Sequence, residues 1–319
     1  MHAGVNGLLL LAVPLYAHLL KALGDGDVSL SRLSKAVGHP PASTLRSYLR
    51  HLEDLGVIER HREPEFPAAV SYRITAGGTE LLKVEETLQA WLNLAPESPL
   101  PVGSQAAKSV VKALVDGWSS GIVRAFAARP FALTELSRLI PSISYPTLER
   151  RLTAMRRVGL VESRRNGSGG RGTPYSATPW LRHAVAPITA SIEWEQRHCA
   201  QQPPPLRRMD IEAALLLAVP LLELDAGTSV VCRVAVELGN GASADYAGVM
   251  VTVEDGRPIS WQSRLSGTAD AWAAGSVADW LRCFNGGDGR PLEYGGDPAL
   301  AMAITDSLRK QIAVAERAR

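Results

Sequence analysis

The chain has 319 residues, 46% of them apolar and 21% charged, with a formal net charge of +2. That balance is that of an ordinary globular protein, argues against disorder and supplies core-forming residues for two or three domains. Cys199, Cys232 and Cys283 form no CxxC or Cys/His cluster, which argues against a zinc or disulfide scaffold and fits a reducing cytoplasm.

The first predicted element is the apolar run from Gly7 to Leu20. It has no Lys/Arg-rich leader and no small-residue cleavage site, contains Pro14, and is too short to span a bilayer. A single buried helix is therefore expected there, with no membrane association. A short amphipathic helix follows at Ser29 to Val37. Next, Leu45, Leu49, Leu52 and Leu55 keep helical spacing up to Gly56, a residue suited to a left-handed helix cap. Ser43 stands where its N-cap is expected. Val57-Ile58-Glu59 and Val70 to Thr75 then read as two strands of a hairpin with a long tip.

The same pattern returns 103 residues later. Leu30, Leu33, Ser34, Thr44, Leu45, Leu49, Gly56, Glu59, Tyr72, Thr75 and Trp91 are matched by Leu133, Leu136, Ser137, Thr147, Leu148, Leu152, Gly159, Glu162, Tyr175, Thr178 and Trp194. A constant offset over this length indicates a duplicated module. In the second copy Ser144 takes the expected N-cap position and Pro146 sits in the first helical turn. Long helix, short helix, turn, helix, hairpin and closing helix, twice over, describe tandem winged helix-turn-helix domains at 1–100 and 104–200.

Both copies resemble the HxlR-type (MarR-like) winged-helix transcription regulators, whose hallmark is TLxxxLxxLxxxGLVxR. Here it reads from Thr44-Leu45 to Glu59-Arg60 and from Thr147-Leu148 to Glu162-Ser163. The second copy also carries the family-like Asp116-Gly-Trp118-Ser-Ser-Gly-Ile-Val123, where the first has Val13 to Leu20, so copy one reads as the more divergent. The resemblance implies a double-stranded DNA partner and no cofactor.

In such a fold the third helix enters the major groove. The exposed positions between its leucines are Ser43, Thr44, Arg46, Ser47 and Arg50 in copy one, and Tyr145, Thr147, Arg150 and Arg151 in copy two. Arginine can grip guanine with two hydrogen bonds, and hydroxyls can bond phosphates or bases. The glycine-rich second wing carries Arg164, Arg165 and Arg171, suited to phosphates or a minor groove, whereas the first wing is acidic and proline-rich. Formal charge follows the same division: −2 for 1–103, +8 for 104–205 and −4 for 206–319.

Gln201 to Pro205 is a proline-rich linker, so a third, α+β domain is expected over 206–319. It opens with a helix at Met209 to Leu224, which repeats the heptapeptide Leu9 to Leu15 verbatim at Leu215 to Leu221. Strands are expected at Ser229 to Leu238, Asp245 to Glu254 and Pro258 to Ser263, and helices at Thr268 to Ala274, Ser276 to Phe284 and Asp297 to Ala315. Val249 to Trp261 with Leu265 to Trp272 is similar to the sterol-carrier-protein fold. That similarity implies a hydrophobic small-molecule effector, with Met250, Trp261, Trp272, Trp280 and Phe284 as candidate pocket residues; the same aromatics equally suit a plain core.

The fold class is thus mainly α with β-hairpin wings, followed by an α+β unit. The leading function is a cytoplasmic, ligand-responsive DNA-binding regulator, acting as a monomeric pseudo-dimer or as a homodimer. A protein-docking scaffold is the second reading. A methyltransferase with a winged-helix dimerisation domain is the third, and it lacks a glycine-rich nucleotide loop and any catalytic constellation.

Overall fold

Pro14 divides the apolar N-terminal run. It lacks an N–H and its ring collides with the preceding turn, so α1 (Val5–Leu11) stops short and Pro14 opens α2 (Pro14–Leu23) at an angle of 86°. This corrects the single helix expected there. The computed structural model describes residues 3–24, 26–62, 70–163, 173–198, 206–239, 245–285 and 291–312.

The next elements are β1 (Val28–Ser29), α3 (Leu30–Ala36), α4 (Ala42–Asp54), β2 (Ile58–Arg62), β3 (Val70–Ile74) and α5 (Ala76–Asn93). The three strands form an antiparallel sheet in the order β1-β3-β2. Leu33, Leu45, Leu49 and Leu52 are buried, as their spacing requires. Ser43 does not cap α4: the helix already starts at Ala42 with Pro41 at the N-cap, and proline has no polar side chain with which to cap it.

The following stretch contains α6 (Gln105–Ser119), α7 (Ile122–Ala128), α8 (Leu133–Leu139), α9 (Tyr145–Arg157), β4 (Val161–Ser163), β5 (Tyr175–Ala177), α10 (Pro179–His183) and α11 (Val185–His198). Its details repeat the first set at the 103-residue offset. Gly56 and Gly159 have φ of 70° and 80°, and each closes its helix with the same pair of backbone bonds: Gly56 N–H to Glu53 and Val57 N–H to Leu52, Gly159 N–H to Arg156 and Leu160 N–H to Met155. Thr75 Oγ1 donates to the carbonyls of Gly56 and Val57, and Thr178 Oγ1 to those of Gly159 and Leu160. Even the pairing of β1 with β3 at Val28 and Tyr72 has its counterpart in an isolated bridge between Phe131 and Tyr175.

The two sets meet where α5 packs along α11. Trp91 Nε1 donates to the Trp180 carbonyl at 2.9 Å, and Trp194 Nε1 donates to the Gly77 carbonyl at 2.8 Å. Trp91 corresponds to Trp194 and Gly77 to Trp180, so one bond is the other with the partners exchanged. Trp180 Nε1 also donates to the Trp91 carbonyl at 3.0 Å, with the two indoles stacked at 4.9 Å. Glu195, fully buried on α11, accepts from Gly4 and Asn6 N–H at 2.6 Å and from Gly7 N–H at 3.4 Å, anchoring the start of α1.

The last stretch has α12 (Arg208–Ala218), a 3-10 turn at Val219–Leu221, β6 (Val230–Glu237), β7 (Tyr246–Glu254), β8 (Arg257–Gln262), β9 (Ala271–Ser276), α13 (Val277–Phe284), β10 (Glu293–Gly296) and α14 (Pro298–Ile312). The sheet runs β10-β9-β6-β7-β8, parallel only between β6 and β9. The expected helix at Thr268 to Ala274 is therefore wrong, since most of it is the loop before β9 and the start of that strand. Ala271 and Ala273 alternate onto a buried face beside Cys232 and Val234, while the Trp272 indole lies over Gly295, where an added Cβ would stand 2.2 Å from the ring. This sheet unit is fastened to α7 through α12, where buried Asp210 pairs with Arg124, and to α11 through α13.

Candidate nucleic-acid interface

The candidate contact residues lie on two equivalent helices. On α4 the apolar positions Leu45, Leu49 and Leu52 face the core, which turns Ser43, Arg46, Ser47 and Arg50 outward and leaves Thr44 half-buried. On α9 Leu148, Leu152 and Met155 are buried, Arg150 and Tyr145 are exposed, and Thr147 and Arg151 are half-buried. The periodicity that fills the core thus also selects what reaches solvent. Ser144 stands at the N-cap of α9, but its hydroxyl donates to Thr147 Oγ1 at 2.9 Å instead of capping a backbone N–H. That bond holds one candidate donor at the helix start.

Each helix is steadied from behind. The Tyr16 ring of α2 lies 4.5 Å from that of Tyr48, tilted by 39°, and its hydroxyl bonds His51 Nδ1, both on α4; burial raises the Tyr16 phenol above its ordinary range. On α9, Met155 packs over Gly117 of α6, where a Cβ would lie 2.9 Å from the sulfur. The outer face of α9 borders an open depression of about 390 Å³ lined by Pro146, Glu149, Arg150, Thr153, Ala154 and Arg157. Exposed Arg32 and Lys35 on α3, and Arg60 and Arg62 on β2, are cations that the helix-centred reading omitted. Alternation along β2 was the available signal. The wing arginines Arg164, Arg165 and Arg171 lie outside the described residues.

Residues 16–98 match the HxlR-like helix-turn-helix family. The matched HxlR-like segment runs from α2 past α5 and is the copy whose opening helix departs from the family-like pattern; most of the match lies beyond that departure, on α3 to α5. The HTH-type transcriptional regulator YodB of Bacillus subtilis (strain 168) is 30% identical over 73 residues, which are 23% of this chain. The chain spans about 65% of the length of that relative. A crystal structure of diamide-treated YodB from B. subtilis shows 28% identity over 25% of this chain and 78% of that one, with a TM-score of 0.24.

The five candidate pocket residues of the third stretch do not meet. Met250 pairs across strands with Arg233, and Arg233 with Trp272, so those two side chains share one face of the sheet; Trp261, opposite Val251, lies on the other. Trp261 sits under the Arg182 guanidinium at 5.7 Å. Trp280 and Phe284 contact each other at 5.4 Å and border an apolar cavity of about 30 Å³, and Trp280 Nε1 donates to the Ala235 carbonyl at 2.9 Å. That space holds about one water molecule, so these two aromatics fill a core. Among the described residues no group of three or more His, Cys, Asp or Glu could hold a metal ion. No single described helix is long and apolar enough to cross a membrane.

Proposed function

We propose that the chain is a sequence-specific DNA-binding transcription regulator. In this reading 1–100 and 104–200 are two winged helix-turn-helix modules forming a pseudo-dimer within one chain, and 206–319 is an assembly unit docked on the second. The observation that carries it is the exchange of partners between the Trp91–Trp180 and Trp194–Gly77 bonds. Such exchange is the signature of a two-fold, isologous interface, and here both halves belong to the same polypeptide.

A two-fold arrangement suits α4 and α9 to two half-sites, as in dimeric helix-turn-helix proteins. The half-sites read by Ser43, Thr44, Arg46, Ser47 and Arg50 and by Tyr145, Thr147, Arg150 and Arg151 differ, because the side chains differ. The test is binding to DNA upstream of the protein's own operon across a salt series. Arg150→Ala with Arg151→Ala should weaken the specific complex by about tenfold or more, at 1–3 kcal/mol per base-contacting arginine. Absence of any sequence-preferring complex at low salt would defeat the regulator reading and leave a protein-docking role.

A further inference from the structure

We infer that the cleft where α5, α11 and α13 meet is a binding site for a small organic anion with an apolar body, such as an aromatic or aliphatic carboxylate. The cleft has a volume of about 310 Å³, at the lower end of small-molecule sites. Two helices each turn a stripe into it: Glu80, Lys83, Val84 and Thr87 from α5, and Ala190, Glu193, Trp194 and Arg197 from α11, with His198 beside the latter. Both stripes follow the i, i+3, i+4, i+7 spacing of a single helix face.

The floor is apolar. Val84, Ala190 and Trp194 are buried, and the Trp194 N–H is already committed to the Gly77 carbonyl, so the indole offers only its apolar surface. The walls carry Lys83, Arg197 and Arg282, one cation from each helix, with side chains 65%, 51% and 48% exposed. The two lining carboxylates are occupied: Glu80 by Lys83 at 2.7 Å, and Glu193 by Arg197 at 2.5 Å and by the Asn285 amide. Asp279 approaches Arg282 at 3.7 Å. An ammonium has three donors and a guanidinium five, so after these pairings the cleft retains N–H donors on three sides above an apolar base. That is the complement of a carboxylate attached to a ring or short chain.

The occupant would bridge the α5–α11 seam and the third unit at once. Under the regulator reading, on which this extension rests, occupancy would bias the spacing of α4 and α9, and linkage would make DNA and ligand alter each other's affinity.

Calorimetric titration of the full chain with benzoate, 2-naphthoate and hexanoate tests the site. One of them should bind saturably at one site per chain. Arg197→Gln with Arg282→Gln should weaken that binding by about tenfold or more, the loss expected for charge-assisted bonds. Thr87→Phe, which gives up only a hydroxyl bond to the Lys83 carbonyl within its own helix, should fill the cleft and abolish binding. No saturable binding of any of the three up to about 10 mM, a limit of roughly 3 kcal/mol, overturns the proposal. Binding that both variants leave unchanged overturns it too, as does sulfate binding as tightly as the carboxylates. Carboxylate binding without any DNA complex upholds the site while defeating the regulator reading.

Discussion

Trp91 and Trp194 donate equivalent bonds in opposite directions, and Trp91 in addition stacks on Trp180. Replacing either by Phe removes one buried indole-to-carbonyl bond, at a cost of about 0.5–1.5 kcal/mol. Urea denaturation should therefore show a loss in both Trp91→Phe and Trp194→Phe, the larger in Trp91→Phe because its stack on Trp180 is also reduced, and a loss in one with none in the other would refute the equivalence. Glu195 supplies a pH test. Burial raises its carboxyl above the ordinary range, against the pull of the Gly4, Asn6 and Gly7 N–H groups. The folded chain then holds the proton more tightly than the unfolded one, so this contribution is fully present below the unfolded value and is lost as pH rises through the folded one. Glu195→Gln should flatten that slope in stability measured across the acid range. The leucines and both glycine caps were legible in the sequence because their signals are local, whereas Thr75 and Thr178 stood out only as matched positions, their bonds reaching back 18 to 19 residues. The tryptophan bonds were not legible, since each joins residues about 90 to 120 positions apart.

Elements succeed or fail as readings according to what sets their ends. The shared heptapeptide is instructive: Leu9 to Leu11 end α1 before Pro14, and Leu215 to Ala218 end α12 before Pro220, with a 3-10 turn following in the second case. Proline stops both helices locally, while the surroundings choose what comes next. Thr268 to Ala274 has a helical pattern because it is rich in alanine, and the pairing of β9 with both β6 and β10 overrides that preference. Close approach between elements gives a further prediction. A Cβ on Gly78 would stand 2.2 Å from the Val57 carbonyl oxygen, whereas one on Gly117 meets the end of Met155, which can move. Gly78→Ala should destabilise by about 1–3 kcal/mol through forced separation of α5 from the hairpin. Gly117→Ala should cost less, and thermal unfolding of the two variants would reverse the argument if their order were inverted.

At the scale of the molecule, the third unit holds to the second set of elements through a buried ion pair. Arg124→Met would strand the Asp210 carboxylate in the interior, at about 3–5 kcal/mol. Adding Asp210→Asn should recover part of that loss, and a double variant no more stable than Arg124→Met by urea denaturation would contradict the assignment. The 103-residue periodicity pointed to repeated elements and the proline-rich stretch to a further region, yet the seam between them was invisible, because packing partners are chosen by shape after each element has formed. The docking of that third region on one side only has a consequence for any encounter with DNA. A symmetric dimer sits on its site identically in either orientation. This chain, with its sheet unit mounted beside α7 and nothing comparable beside α2 among the described residues, has a head and a tail, so a bound molecule would point along the duplex in a defined direction.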